Sequence, residues 1–137
     1  MNYINTFIAV SPDTKAKVGS VPPARGGKRS IAQMEYELIA SHPYEFTQEE
    51  VQFCVHVERT GVTSAQLNAN RRELWSDFFS KPTACMRTSP LARSYGWGLH
   101  FDRERKVALV PMESPKYQRF SGSSSIEQTR AMRSKRE

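Results

Sequence analysis

The stretch Thr47-Gln-Glu-Glu50-Val51-Gln-Phe53-Cys54-Val55-His56-Val57-Glu58 decides which fold the chain is given. Two readings compete in it. Val51, Phe53, Val55 and Val57 alternate with Gln52, Cys54, His56 and Glu58. Successive side chains of a strand point to opposite faces, so this is the two-residue period of a strand. Thr47 with Glu50 three residues on has the form of a capping box, which opens a helix. Four β-favouring residues filling one face predict a strand, ended by Gly61.

On either side the periodicity changes. Residues 3–10 (YINTFIAV) are aromatic and β-branched and read as a first strand. Ser30 with Gln33 has capping form, and Ile31, Met34, Leu38 and Ile39 fall on one helical face, which predicts a helix over 30–41. Leu67, Leu74, Trp75, Phe78 and Phe79 form a stripe on a second helix over 64–80, closed by Pro82. Residues 84–88 read as a third strand. Over 96–101, Trp97, Leu99 and Phe101 alternate with Gly98 and His100, and a polar turn at 102–105 leads to a return strand over 106–112, giving a hairpin. Ser114-Pro115 is a cap followed by proline, so a short helix carrying Tyr117 and Phe120 follows. This order predicts an α+β domain. One largely antiparallel sheet would carry two main helices and a short C-terminal helix packed on one face. The domain is expected over residues 1–120, with a flexible basic tail over 121–137.

With 137 residues, 38% hydrophobic and 25% charged, the chain is long enough for one core and is neither collagen-like nor wholly disordered. No apolar run approaches the ~18 residues of a membrane span, and residues 1–10 lack the form of a signal peptide, so no membrane partner is expected. Two cysteines, Cys54 and Cys85, do not make a disulfide scaffold and fit a reducing cytoplasm. The net charge of +6 is uneven. Lys15, Lys17, Arg25, Lys28 and Arg29 stand against Asp13 over 11–30, and Arg130, Arg133, Lys135 and Arg136 against Glu127 and Glu137 over 121–137. Basic segments of this kind attract phosphates, nucleic acid or acidic partners.

Three groups of residues carry candidate chemistry. In the first, Arg25-Gly26-Gly27-Lys28-Arg29 runs into the helix opened by Ser30. Glycines let backbone amides converge on an anion, and a helix start supplies unsatisfied amides. The loop is not a Walker A motif, since Arg29 follows Gly27-Lys28 where Ser or Thr would stand. The second group depends on the strand assignments. Cys54, His56, Cys85, Arg87 and His100 would gather on one side of the sheet. Their spacing matches no common zinc motif, so no metal or other cofactor is expected. Cys85 with His100 as base and Arg87 holding an anion would make a thiol active site. In the third, Tyr95 and Trp97 would stack on a base or ring, with Arg93 on its phosphate.

The chain also carries Asn5-Thr6-Phe7, Pro22-Pro23 before Arg25-Gly26-Gly27-Lys28, and Phe78-Phe79-Ser80-Lys81. Further on come Cys85-Met-Arg87-Thr-Ser89-Pro90-Leu91, Tyr95-Gly96-Trp97-Gly98-Leu-His100 and Glu113-Ser114-Pro-Lys-Tyr117. In these it resembles a group of small bacterial proteins catalogued as a domain of unknown function. The resemblance spans about residues 2–120 and implies one bacterial cytosolic domain, with no activity or catalytic residues attached. The expected function is binding of a phosphate- or carboxylate-bearing ligand, or of nucleic acid, through Arg25, Gly26, Gly27, Lys28, Arg87, Arg93, Tyr95 and Trp97. The alternatives are an enzyme acting on an acidic small molecule through Cys85, His100 and Arg87, and a protein-interaction domain.

Overall fold

The decisive stretch is a helix. In the computed structural model, which describes residues 2–133, Gln48–Thr60 forms a helix, α2 in chain order after α1 (Ile31–Ser41). The capping box at its start is complete: Thr47 Oγ1 accepts from the Glu50 amide at 3.2 Å, and Glu50 Oε1 accepts from the Thr47 amide at 2.9 Å. Gly61 ends it at φ 73°, a left-handed conformation that glycine adopts without penalty. The alternation has a physical cause other than a pleat. At about 100° per residue, Val51 and Val55 fall on one side of a helix and Phe53 on the other. All three are buried, because this helix is covered on both sides. Val51 belongs to the main core, while Phe53 meets Trp75 and Phe78 of α3 (Ser64–Phe79). The strand expected over 84–88 is likewise absent. Met86–Thr88 is a turn of 3-10 helix, held where Gln48 Oε1 accepts from the Met86 amide at 2.7 Å.

Among the described residues there is one sheet of four strands, in the order β3 (Val107–Pro111), β2 (Trp97–Phe101), β1 (Thr6–Ala9), β4 (Glu127–Arg130). The hairpin stands as expected, β2 running antiparallel to β3 and to β1. The sheet is mixed, because β4 runs parallel to β1. β4 lies in the stretch expected as a flexible tail. Thr6 to Ala9 supply its backbone partners, and Ala131 just beyond it is buried in the core. Lys135, Arg136 and Glu137 of that expected tail lie outside the described residues.

The helices do not share one face. Ile8, Leu99, Phe101 and Val107 form a core with Ala32 and Ile39 of α1 and with Leu91 and Ala92 of α4 (Pro90–Ser94). The next residue along each strand points the other way: Phe7, His100 and Gly98 meet α5 (Pro115–Ser121). A sheet whose two faces are both apolar must be covered twice. Gly98 makes that cover possible. A Cβ there would lie 2.6 Å from Phe7 Cζ and 2.9 Å from Tyr117 Cε2. The buried face of α1 is also turned from the expected one: Ala32, Glu35 and Ile39 are inside and Ile31 is 41% exposed.

The long connection after β1 is anchored at its start and midway along it. The Ser11 amide donates to Ala92 O, the Ser20 amide to Tyr95 O, and Gly19 NH to Glu113 Oε1. Gly96, at φ 80°, passes so close to Val18 O that a Cβ there would lie 2.2 Å from it.

Candidate site at the start of α1

Gly26 and Gly27 both have positive φ, 57° and 77°, and Arg25 and Lys28 exchange backbone hydrogen bonds of 2.8 and 2.9 Å across them. This is a two-residue hairpin turn of the kind that needs two left-handed residues. It presents the exposed side chains of Arg25 and Lys28 at its base. Arg29 points elsewhere. Its guanidinium grips both oxygens of Glu37, at 3.2 and 3.0 Å, and forms an ion pair with Glu58 of α2. Charge expected in an anion cradle is thus spent tying the turn to two helices.

Ser30 then caps α1. Its Oγ accepts from the Gln33 amide at 3.1 Å and donates to Pro23 O at 3.1 Å. The Met34 amide bonds to Ser30 O. The amides of Ile31 and Ala32 belong to the first turn and have no intrahelical acceptor. Ser30, Ile31 and Ala32 line a cavity of about 290 Å³ with Arg25, Pro90, Ser94 and Tyr95. The residues that carry a guanidinium, a capping hydroxyl, first-turn amides and a phenol ring therefore line one space. The positive end of a helix has the polarity that suits a small anion.

The other expected residues divide. Arg93 lies one residue before Ser94, and its Nε is buried with no hydrogen-bond partner among the described residues. Trp97 is committed: Nε1 donates to Ser20 O at 2.8 Å, and the indole packs on Gly19 and Tyr36. Arg87 is committed as well, with Nε donating to the Arg130 carbonyl at 2.7 Å and its own carbonyl accepting from the Met132 amide. Tyr95 alone of the two expected stacking aromatics faces the cavity.

The cysteine and histidine candidates are not brought together. Cys54 and His56 sit on α2, where burial raises the Cys54 thiol above its ordinary pKa, against the pull of Arg71. His56 stacks on Phe78. Cys85 accepts a hydrogen bond of 3.1 Å from the Tyr3 hydroxyl, and the Tyr3 ring packs on Phe101. Burial and that thiol push the Tyr3 phenol up to about 12. Phe101 and His100 are neighbours on β2 and face opposite ways, so Cys85 and His100 belong to opposite faces of the sheet. Among the described residues no group of three or more His, Cys, Asp or Glu side chains is placed to hold a metal ion.

Two polar groups carry no signal of their own in the sequence. Glu35 is 7% exposed on α1, and Ser89 Oγ donates to its Oε1 at 2.7 Å while accepting from the Leu91 amide. Burial holds its carboxyl pKa near 7, and the Ser89 bond pulls slightly back. Tyr44 is the second. Its hydroxyl lies 2.7 Å from His100 Nδ1, and its backbone takes φ 59°. The residue before it, Pro43, marks a turn but not this contact.

Among the described residues no helix is long and apolar enough to cross a membrane. Comparison with curated proteins returns no match, and comparison with solved structures returns none. A family model covers residues 1–137, and so takes in β4 as well as the core. The chain belongs to the family of unknown function DUF6157.

Proposed function

We propose that the protein binds a small phosphate- or carboxylate-bearing ligand in the cavity at the start of α1. One observation carries this reading: Arg25, the Ser30 cap and the first turn of α1 line the same cavity as the Tyr95 ring. The helix end supplies amides and a positive dipole, Arg25 supplies a bidentate cation, and Tyr95 supplies an aromatic wall for the body of the ligand. Lys28, across the Gly26-Gly27 turn, adds long-range attraction. A small ligand fits better than a nucleic-acid strand, because Trp97 is used by Ser20, Gly19 and Tyr36 and offers no second stacking surface.

Native mass spectrometry of gently purified protein, compared with its denatured mass, tests this without a guess at the ligand. A retained anionic mass, absent from Arg25→Ala, is the expected result. Titration with inorganic phosphate should give an affinity that falls with added salt and drops about tenfold or more in Arg25→Ala, the loss of one charge-assisted contact. Amide shifts confined to residues other than 25–32 and 94–95 on phosphate addition would remove the reading.

A further inference from the structure

The second face of the sheet is covered by one short helix, and a histidine lies at the centre of the contact. His100 is 9% exposed. Its ring lies flat on Phe120 of α5, with centroids 4.1 Å apart and planes at 18°. Its Nδ1 meets the Tyr44 hydroxyl at 2.7 Å. Phe7 beside it touches both Tyr117 and Phe120 of the same helix. Lys116 Nζ stands 5.7 Å from the centre of the Tyr44 ring and 5.5 Å from that of Phe120. No residue of α5 is itself buried; these ring contacts hold it together with the Tyr117 hydroxyl, which accepts from the Val10 amide at 3.0 Å.

We propose that His100 is a proton-operated latch, which holds α5 on the sheet as a neutral imidazole and releases it as an imidazolium. The groups around it favour the neutral form. From α5, Lys116 repels a second positive charge. From the segment before α2, Tyr44 presents a phenol. Phe7 from β1 and Ala108 from β3 present only apolar surface. Asp102, two residues along its own chain, opposes them, and its Oδ1 is engaged by the Glu104 and Lys106 amides. Burial is the largest influence and lowers the pKa of His100; Asp102 pushes it back up and Lys116 adds to the lowering. When pH falls through the ordinary imidazole range near 6.5, the released form therefore takes up a proton before the docked form does, and release is favoured.

Release would not stop at α5. Gln128 of β4 donates through Nε2 to Phe120 O at 2.6 Å and Ser123 O at 3.2 Å, and Asn5 Nδ2 donates to Ser125 O. Movement of α5 loosens β4 and bares Phe7, Ala108 and Val110, all now buried.

The test is amide hydrogen exchange of the full chain at pH 7.5 and pH 5.0, corrected for intrinsic exchange. Protection over 115–121 and 127–130 should fall at pH 5.0, by about tenfold for each unit by which docking lowers the imidazole pKa, while β2 and β3 stay protected. His100→Gln keeps a polar partner for Tyr44 and cannot be protonated, so its protection should not change with pH. His42 and His56 remain in that variant and serve as the internal control. Lys116→Met, a surface change, should raise the His100 pKa read by NMR and lessen the loss. Equal protection of the wild type at both pH values overturns the latch, and so does the same loss in His100→Gln. If His100→Gln does not fold, an unaltered titration and an unaltered loss in Lys116→Met overturn it instead.

Discussion

Glu35 is a carboxyl group placed where charge is costly. Among the described residues its hydrogen-bond partner is the Ser89 hydroxyl, and burial pushes its pKa up to about 7, against 4.5 for the free side chain. The folded state therefore holds a proton that the unfolded state gives up between about pH 4.5 and 7. Stability is fully present below that window, falls as pH rises through it, and is lower by about 3 kcal/mol above it. Glu35→Gln keeps an oxygen to accept from Ser89 and has no charge to bury. It should be more stable than the wild type at pH 8, by up to that amount, and equal to it near pH 4.5. Urea unfolding at the two pH values checks this; a variant no more stable at pH 8 shows that the carboxylate finds solvent. The effect opposes that of His100 in sign, so loss of α5 protection on acidification cannot come from Glu35. Nothing in the sequence marks Glu35. Ala32 and Ile39 share its helical face, but the stronger stripe of Ile31, Met34, Leu38 and Ile39 draws the eye, and burial of a glutamate is decided by Ser89, 54 residues away.

At the scale of elements, local chemistry was more legible than periodicity. Ser30, Ser114 and the Asp102 turn act as their residue types predict, because a cap or turn is settled within four residues. The same chemistry stood at Thr47 and Glu50, and it outweighs the alternation that follows. Alternation reports burial on two sides, and a helix between two neighbours shows it as well as a strand does. Which neighbours exist is not local information: α3 lies beyond Gly61, and its Trp75 and Phe78 rings reach Phe53. Thr47→Ala separates the two accounts. Loss of an N-cap should cost about 1 kcal/mol and weaken amide protection in the first turn of α2. A strand would register no such loss, since a threonine before it has no amide to cap. For the candidate site, the Gly26-Gly27 turn and the Ser30 cap were legible for the same local reason. The commitments of Arg29, Arg87 and Trp97 were not, because each is made to a distant group: Glu58, the Arg130 carbonyl and Ser20 O.

For the whole molecule, the largest departure is the last described strand. Ser-Gly-Ser-Ser-Ser followed by charged residues has the composition of a tail, yet Glu127–Arg130 completes the sheet. An edge strand beside β1 needs backbone groups more than apolar side chains, so composition says little about it. What it needs from the rest is supplied. The Glu127 amide donates to Asn5 O and the Ala131 amide to Ala9 O, Ala131 is 2% exposed in the core, and Arg87 grips the Arg130 carbonyl. Arg87 thus serves the fold from the far side of the chain. Truncation after Ser123 should therefore do more than remove a solvated end. It leaves β1 paired on one side only, by β2, and takes Ala131 out of the core that holds Ile8. At about 1 kcal/mol for each lost hydrogen bond, plus the lost burial of Ala131, the cost is a few kcal/mol, a large share of the stability of a domain this size. The urea midpoint and the denaturant slope should both fall, because less surface is buried in the native state. Arg87→Ala in the full chain should show a smaller loss of the same kind, with exchange quickening first over 127–131. An unchanged midpoint in the truncated chain would show that β4 rests on the sheet without belonging to its cooperative unit, and the domain would then end near residue 120 after all.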